Sequence, residues 1–246
     1  MLGLPEGTEA ALFDLDGVIT KTATIHAAAW KQMFDEFLRD RDPEHFAPFT
    51  DLDYIRYVDG KPREAGTRDF LASRSIVLPD KEIDRLSDRK NELVLAKIRA
   101  GQVQVFPTSV TYLHRVRQAR LRTAIVSSSA NCRDVLASVG IEGLFDVRID
   151  GVVAATDRLA GKPSPDTFLA AAKRLGVEPA RAAVFEDALA GVAAGRAGHF
   201  GFVVGVNRAD QARDLAEHGA DVVVDDLGDL LSPAREPEPG GEGIAE

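Results

Sequence analysis

The stretch Ala10-Ala11-Leu12-Phe13-Asp14-Leu15-Asp16-Gly17-Val18 decides the reading of this chain. Four apolar residues fit a strand buried on both faces, and two carboxylates follow at its carboxyl end. Two ionised acids held close repel and raise each other's pKa, so the pattern calls for a counter-charge such as a bound cation. Taken alone, Asp16-Gly17 reads rather as a hairpin turn.

Further β-rich runs, each followed by a helical pattern, occur at Leu121 to Ser127, Ala182 to Phe185, Phe200 to Gly205 and Asp221 to Val224. Strands alternating with helices predict an α/β fold with a doubly wound parallel sheet, whose ligands bind beyond the strands' carboxyl ends. About one hundred residues without a strand pattern separate the first two runs, with breaks at Pro43, Pro48, Pro62 and Pro79. That is too long for one crossover, so a helical domain inserted over residues 22–98 is expected. The remaining core would be 1–21 and 99–232. Residues 233–246, rich in Pro, Gly and Glu, read as a disordered acidic tail.

Composition excludes several classes. A net charge of -9 with scattered basic residues argues against a nucleic-acid partner. The single cysteine, Cys132, permits no intrachain disulfide. No apolar run is long enough to span a membrane and no signal pattern opens the chain, so neither secretion nor anchoring is expected; the lone thiol fits a reducing cytoplasm, and a monomer is expected.

Three pieces favour chemistry over the hairpin. Ser127-Ser128-Ser129 ends a strand, where hydroxyls and the N–H groups opening the next helix suit a phosphate; an N-cap is the alternative. Lys162-Pro163 offers an ammonium before a helix capped near Ser164. Glu186-Asp187 ends another strand as a second acid pair suited to a hard cation.

In this order, on successive strand ends, these pieces resemble the haloacid dehalogenase superfamily, and with the helical insert its β-phosphoglucomutase-like subfamily. The subfamily's stretch is matched by Phe13 to Thr20 followed by Thr22, His26 and Trp30. The resemblance implies a Rossmann-like core, Mg2+, and Asp14 as the nucleophile that takes up a phosphoryl group. It implies Asp16 as general acid and base, Ser127 and Lys162 on the phosphoryl oxygens, and Asp14, Asp16 (through its backbone carbonyl), Glu186 and Asp187 around the metal. The implied reaction interconverts β-D-glucose 1-phosphate and glucose 6-phosphate through glucose 1,6-bisphosphate; a sugar-phosphate phosphatase with the same nucleophile is the alternative.

Spacing adds substrate-side candidates. Thr22, His26 and Trp30 share a helix face that Met33 and Phe37 continue; the face either packs internally or turns to the cleft, and the resemblance favours the cleft. Lys90 falls near the apolar stripe of a helix over residues 81–99, where an ammonium must snorkel or meet an anion. Gly60-Lys61-Pro62-Arg63 resembles the loop that grips the substrate's far phosphate, while Ser129 and Asn131 would reach the sugar bisphosphate. Three positions depart from the pattern: Asp59 where a lysine is usual, Ala188 in place of a hydroxyl, and Gly66 in place of a serine.

Overall fold

The computed structural model describes residues 1–231; the tail expected over 233–246 lies outside the described residues. Six strands form one parallel sheet in the order β3-β2-β1-β4-β5-β6: β1 Ala10–Phe13, β2 Arg122–Val126, β3 Val147–Ile149, β4 Ala182–Glu186, β5 Phe202–Val206 and β6 Val222–Val224. Strand β3 has no counterpart among the runs read from sequence. It is three residues long at the sheet's edge and carries Arg148, so it shows neither a continuous apolar run nor a useful alternation.

Alternation along β1 explains the two-layer covering. Ala11 and Phe13 enter one core with Tyr112, Leu113, Ile125 and Phe185, while Ala10 and Leu12 enter the opposite core with Phe168, Ala172, Val184 and Val203. Helices α5 (Pro107–Gln118), α6 (Cys132–Ser138), α7 (Gly151–Asp157), α8 (Asp166–Leu175), α9 (Leu189–Ala197) and α10 (Ala212–Glu217) connect the strands or cover the faces. Helix α8 has its N-cap at Pro165, next to Ser164, whose hydroxyl donates to Asp166 in the first turn at 2.8 Å.

Between β1 and β2 the chain forms α1 (Ala23–Arg41), α2 (Asp51–Asp53) running into a wide turn over Tyr54–Val58, α3 (Arg63–Ser73) and α4 (Asp80–Arg99). These helices bury a core of their own, with Trp30, Met33, Phe34, Phe49, Phe70, Leu71, Ile83 and Leu86. Phe34 and Phe70 lie 4.2 Å apart between ring centroids at its centre. At the other ends of the two long helices, Ile25 and Ala29 of α1 and Val94 and Ile98 of α4 join the sheet's core. Among the described residues no helix is long and apolar enough to cross a membrane.

Candidate active site

The chain runs outward from β1 to β2 and β3, then returns across β1 to place β4 on its other side. Such a switch point leaves a crevice at the carboxyl ends of the central strands. Register fills it with acids: Phe13 pairs with both Ile125 and Phe185, so Asp14, one residue on, stands beside Val126 and Glu186. The Asp14 N–H donates to the Phe185 carbonyl at 2.9 Å, which pins the acid to the strand end.

Carboxylate oxygens of Asp14, Glu186 and Asp187 lie within 4.8 Å of one another, and all three residues are buried. Glycine makes this approach possible. A Cβ on Gly17, whose φ is +90°, would sit 1.7 Å from Asp187 Oδ2. Burial pushes Asp187 well above the usual carboxylate range, and the Asp59, Glu186 and Asp14 carboxylates add to it. Asp14 is raised too, burial first, with Glu186 and Asp16 adding to it against the pull of Lys162. A buried acid cluster with this surplus of negative charge fits a hard cation held by oxygen ligands.

Lys162 supplies an ammonium at the floor. Its Nζ donates to Asp14 Oδ1 at 2.5 Å, to the Val126 carbonyl at 3.1 Å, and to Glu186 Oε1. Burial works against the charged form, but Asp14 and Glu186 outweigh it and hold the ammonium above its ordinary pKa. The other Glu186 oxygen accepts the Ala188 N–H at 3.1 Å, so both oxygens are anchored.

Asp16 has different surroundings. Thr22 donates its hydroxyl to Asp16 Oδ1, and His26 Nε2 lies 3.4 Å from the same oxygen. Burial alone would raise this acid; His26, Thr22 and Lys90 outweigh it and hold it at about 2. The Asp16 carboxylate thus faces Thr22 and His26 at the start of the first helix that follows β1. Lys90 of α4 approaches His26 Nδ1 at 2.7 Å and lies 4.7 Å from the Trp30 ring centre. Burial lowers Lys90 to about 7, with Arg63 adding and Asp16 opposing.

A cavity of about 600 Å3 joins these groups, lined by Asp14, Asp16, His26, Trp30, Gly60, Lys61, Arg63, Lys90, Ser127, Ser129, Asn131 and Asp187. Thr22, Lys162 and Glu186 support this lining from behind through the bonds above. Lys61 is held by Asp69 at 2.6 Å, and Arg63 by Glu64 at 2.9 Å and Asp88 at 3.8 Å. The hydroxyl loop does not open directly into a helix. Ser127 and Ser129 instead accept the N–H groups of Ser129 and Asn131, each at 3.1 Å, and α6 begins only at Cys132.

Sequence reasoning missed several neighbours. Tyr54 lines the cavity beside Asp59, and Asn91 accepts from the Asn131 amide at 2.8 Å. Gln211 donates to the Asp187 carbonyl at 2.9 Å, and Arg208 to the Gly17 carbonyl at 2.8 Å. None carries a signal of periodicity or motif; each acts only through the fold.

A model of haloacid dehalogenase-like hydrolases matches residues 8–199, from just before β1 to just beyond α9. The chain belongs to the haloacid dehalogenase-like hydrolase family. Within this family it is 53% identical over 247 residues to a β-phosphoglucomutase of Mycobacterium tuberculosis (strain CDC 1551 / Oshkosh), covering 94% of each chain. It is 32% identical over 235 residues to the validoxylamine A 7'-phosphate phosphatase of Streptomyces hygroscopicus subsp. limoneus, covering 92% of this chain and 97% of the relative. Among solved structures of the family it resembles a β-phosphoglucomutase from Clostridium difficile. The TM-score is 0.76 at 27% identity, with 91% of this chain and 93% of that one covered.

Proposed function

We propose that this chain is a β-phosphoglucomutase, interconverting β-D-glucose 1-phosphate and glucose 6-phosphate through an aspartyl phosphate and glucose 1,6-bisphosphate. The observation that carries the reading is the division of labour between two acids two residues apart. Asp14 faces Lys162 and the acid cluster, while Asp16 faces Thr22 and His26. One is placed to take up a phosphoryl group, the other to move a proton.

Asp14 attacks phosphorus in line, forming a bond from its carboxylate oxygen as the bond to the sugar oxygen breaks. Asp16, ionised at rest, accepts the proton of the sugar hydroxyl that attacks the aspartyl phosphate and returns it to the oxygen that departs when Asp14 is phosphorylated again. Ser127 and Lys162 hold the equatorial oxygens of the transferring group. Magnesium is the cation we assign to Asp14, Asp187, Glu186 and the Asp16 backbone carbonyl; it supplies neutralisation of the anions that meet there.

Helices over residues 22–98 serve as a cap that excludes water, so that the phosphoryl group passes to sugar rather than to solvent. His26 orients Asp16 from that cap, Trp30 and Thr22 shape its surroundings, and Arg63 with Lys61 receives the far phosphate. Ser129 and Asn131 complete the wall toward the sugar.

A phosphatase reading is favoured by one feature, the acid Asp59 on the cap loop where the mutase pattern carries a lysine. Intact-mass analysis after brief mixing with glucose 1,6-bisphosphate and Mg2+ tests the shared chemistry. One added phosphoryl group that maps to Asp14 is expected; an unmodified Asp14 under turnover would exclude both readings.

A further inference from the structure

We propose that Asp59 is a specificity-determining residue that accepts a hydrogen bond from a ring hydroxyl of the bound sugar; this deepens the sugar-phosphate reading above and rests on it. The first support is placement. The loop carrying Asp59 rests on three catalytic loops at once. Ser128 Oγ donates to the Gly60 carbonyl at 2.8 Å. A Cβ on Gly60, at φ +69°, would lie 2.8 Å from the Ala188 side chain, and a Cβ on Gly161 would lie 2.2 Å from Pro62 Cγ. These are the loops of the hydroxyls, of the second acid pair and of Lys162. The Asp59 backbone is thereby fixed against the phosphoryl site, and its own N–H donates to the Tyr54 carbonyl at 3.0 Å.

The second support is charge. Asp59 lines the same cavity as Asp14 and Asp187. The charged groups acting most strongly on it are Glu186 and Asp16, and it acts in turn on Asp187; the Tyr54 phenol is its polar neighbour. A phosphate brought here would meet a wall of anions. The ammonium and guanidinium groups suited to the far phosphate belong to Lys61, Arg63 and Lys90 instead. A carboxylate has only acceptors to offer when ionised, and sugar hydroxyls are the donors such a substrate brings. An acceptor placed for one hydroxyl, and cut off from water once the sugar lies over it, discriminates strongly against the analogue that lacks it, because the acceptor is then left unpaired.

The test is a cycle of kcat/KM values for β-glucose 1-phosphate and its monodeoxy analogues with wild type, Asp59→Asn and Asp59→Ala, together with the Mg2+ concentration for half activity. Wild type should lose about 100-fold on one deoxy sugar, the loss of one hydrogen bond to a charged acceptor. Asp59→Ala should lose a similar factor on the parent sugar and show nearly equal kcat/KM for the two, with the Mg2+ requirement unchanged. The isosteric Asp59→Asn, which preserves packing, should retain part of the discrimination. Undiminished discrimination in both variants would overturn the proposal, as would a raised Mg2+ requirement with equal losses on every sugar, which would place Asp59 with the cation cluster. If wild type instead hydrolyses another sugar phosphate, the mutase reading fails separately, and the same cycle on that sugar's deoxy analogues decides the role of Asp59.

Discussion

Lys90 Nζ stands 2.7 Å from Nδ1 of His26, and Nε2 of the same ring stands 3.4 Å from Asp16 Oδ1. An ammonium has no lone pair, so a charged Lys90 makes Nδ1 the acceptor and assigns the ring proton to Nε2, facing Asp16. Helix α4 thus reaches the proton-transfer residue through one imidazole.

That relationship sets an alkaline limb. Lys90 titrates at about 7, so above that pH the amine can accept from Nδ1 and the Nε2 proton facing Asp16 is lost. Sugar-dependent turnover should fall by up to about tenfold per pH unit above this point. Lys90→Arg, which stays protonated, should move the limb to higher pH, and a pH–rate profile of both proteins checks it. The stability effect has the opposite direction. The folded pKa lies below the unfolded value, so the cost of burying the charge is complete below about pH 7 and is relieved as pH rises toward the unfolded value of about 10.4. Lys90→Met should raise the Tm most at pH 6, by about 2–4 °C for each kcal/mol relieved.

His26→Ala should slow phosphoryl transfer to sugar by about 10²-fold or more while slowing formation of the phosphoenzyme less. His26 touches Asp16 and not Asp14. Rapid-quench measurement of the two half-reactions separates the effects; equal losses would remove His26 from the proton-transfer role.

The acid cluster makes a metal prediction with a definite sign. Asp14 and Asp187 are raised well above their ordinary range, chiefly by burial, and Asp59 is raised to about 7. Raised carboxyl pKa values mean that the folded state holds protons the unfolded chain has lost, so metal-free stability should fall as pH rises from 5 to 7. Magnesium should reverse that slope, and Asp187→Asn should flatten it while raising the Mg2+ concentration needed for activity. Thermal unfolding with and without EDTA reads both.

Gly60→Ala should disturb closure. The φ of +69° disfavours alanine, and its Cβ would press on Ala188 at 2.8 Å. A displaced loop should cost about 10²-fold in transfer to sugar. The share of phosphoryl groups lost to water should rise, measured as free phosphate against glucose 6-phosphate.

Legibility in the sequence followed physical regularity. Strand β1 and its acid pair were readable because a strand buried on both faces is a continuous apolar run, and β4 with Glu186-Asp187 repeats that pattern. The helices of residues 22–98 were readable from their apolar stripes and proline breaks. Strand β3 was not, because three residues centred on Arg148 hide their apolar character; its guanidinium is satisfied by Glu142 and Asp150, at 2.9 and 2.8 Å. Tyr54 and Asn91 escaped notice because a wide turn and a helix flank give no periodic signal, and only tertiary packing brings them to the cavity. Asp59 was visible as a departure, but its anionic surroundings, Glu186 and Asp16, stand at the ends of two different strands and reach it only through the fold.

The most direct measurement follows glucose 6-phosphate and free phosphate together, with β-glucose 1-phosphate, Mg2+ and catalytic glucose 1,6-bisphosphate. Glucose 6-phosphate formed without phosphate release, and abolished by Asp14→Asn, is the expected result. Phosphate release that matches substrate loss, with no glucose 6-phosphate, would contradict the mutase and leave a phosphatase built on the same nucleophile.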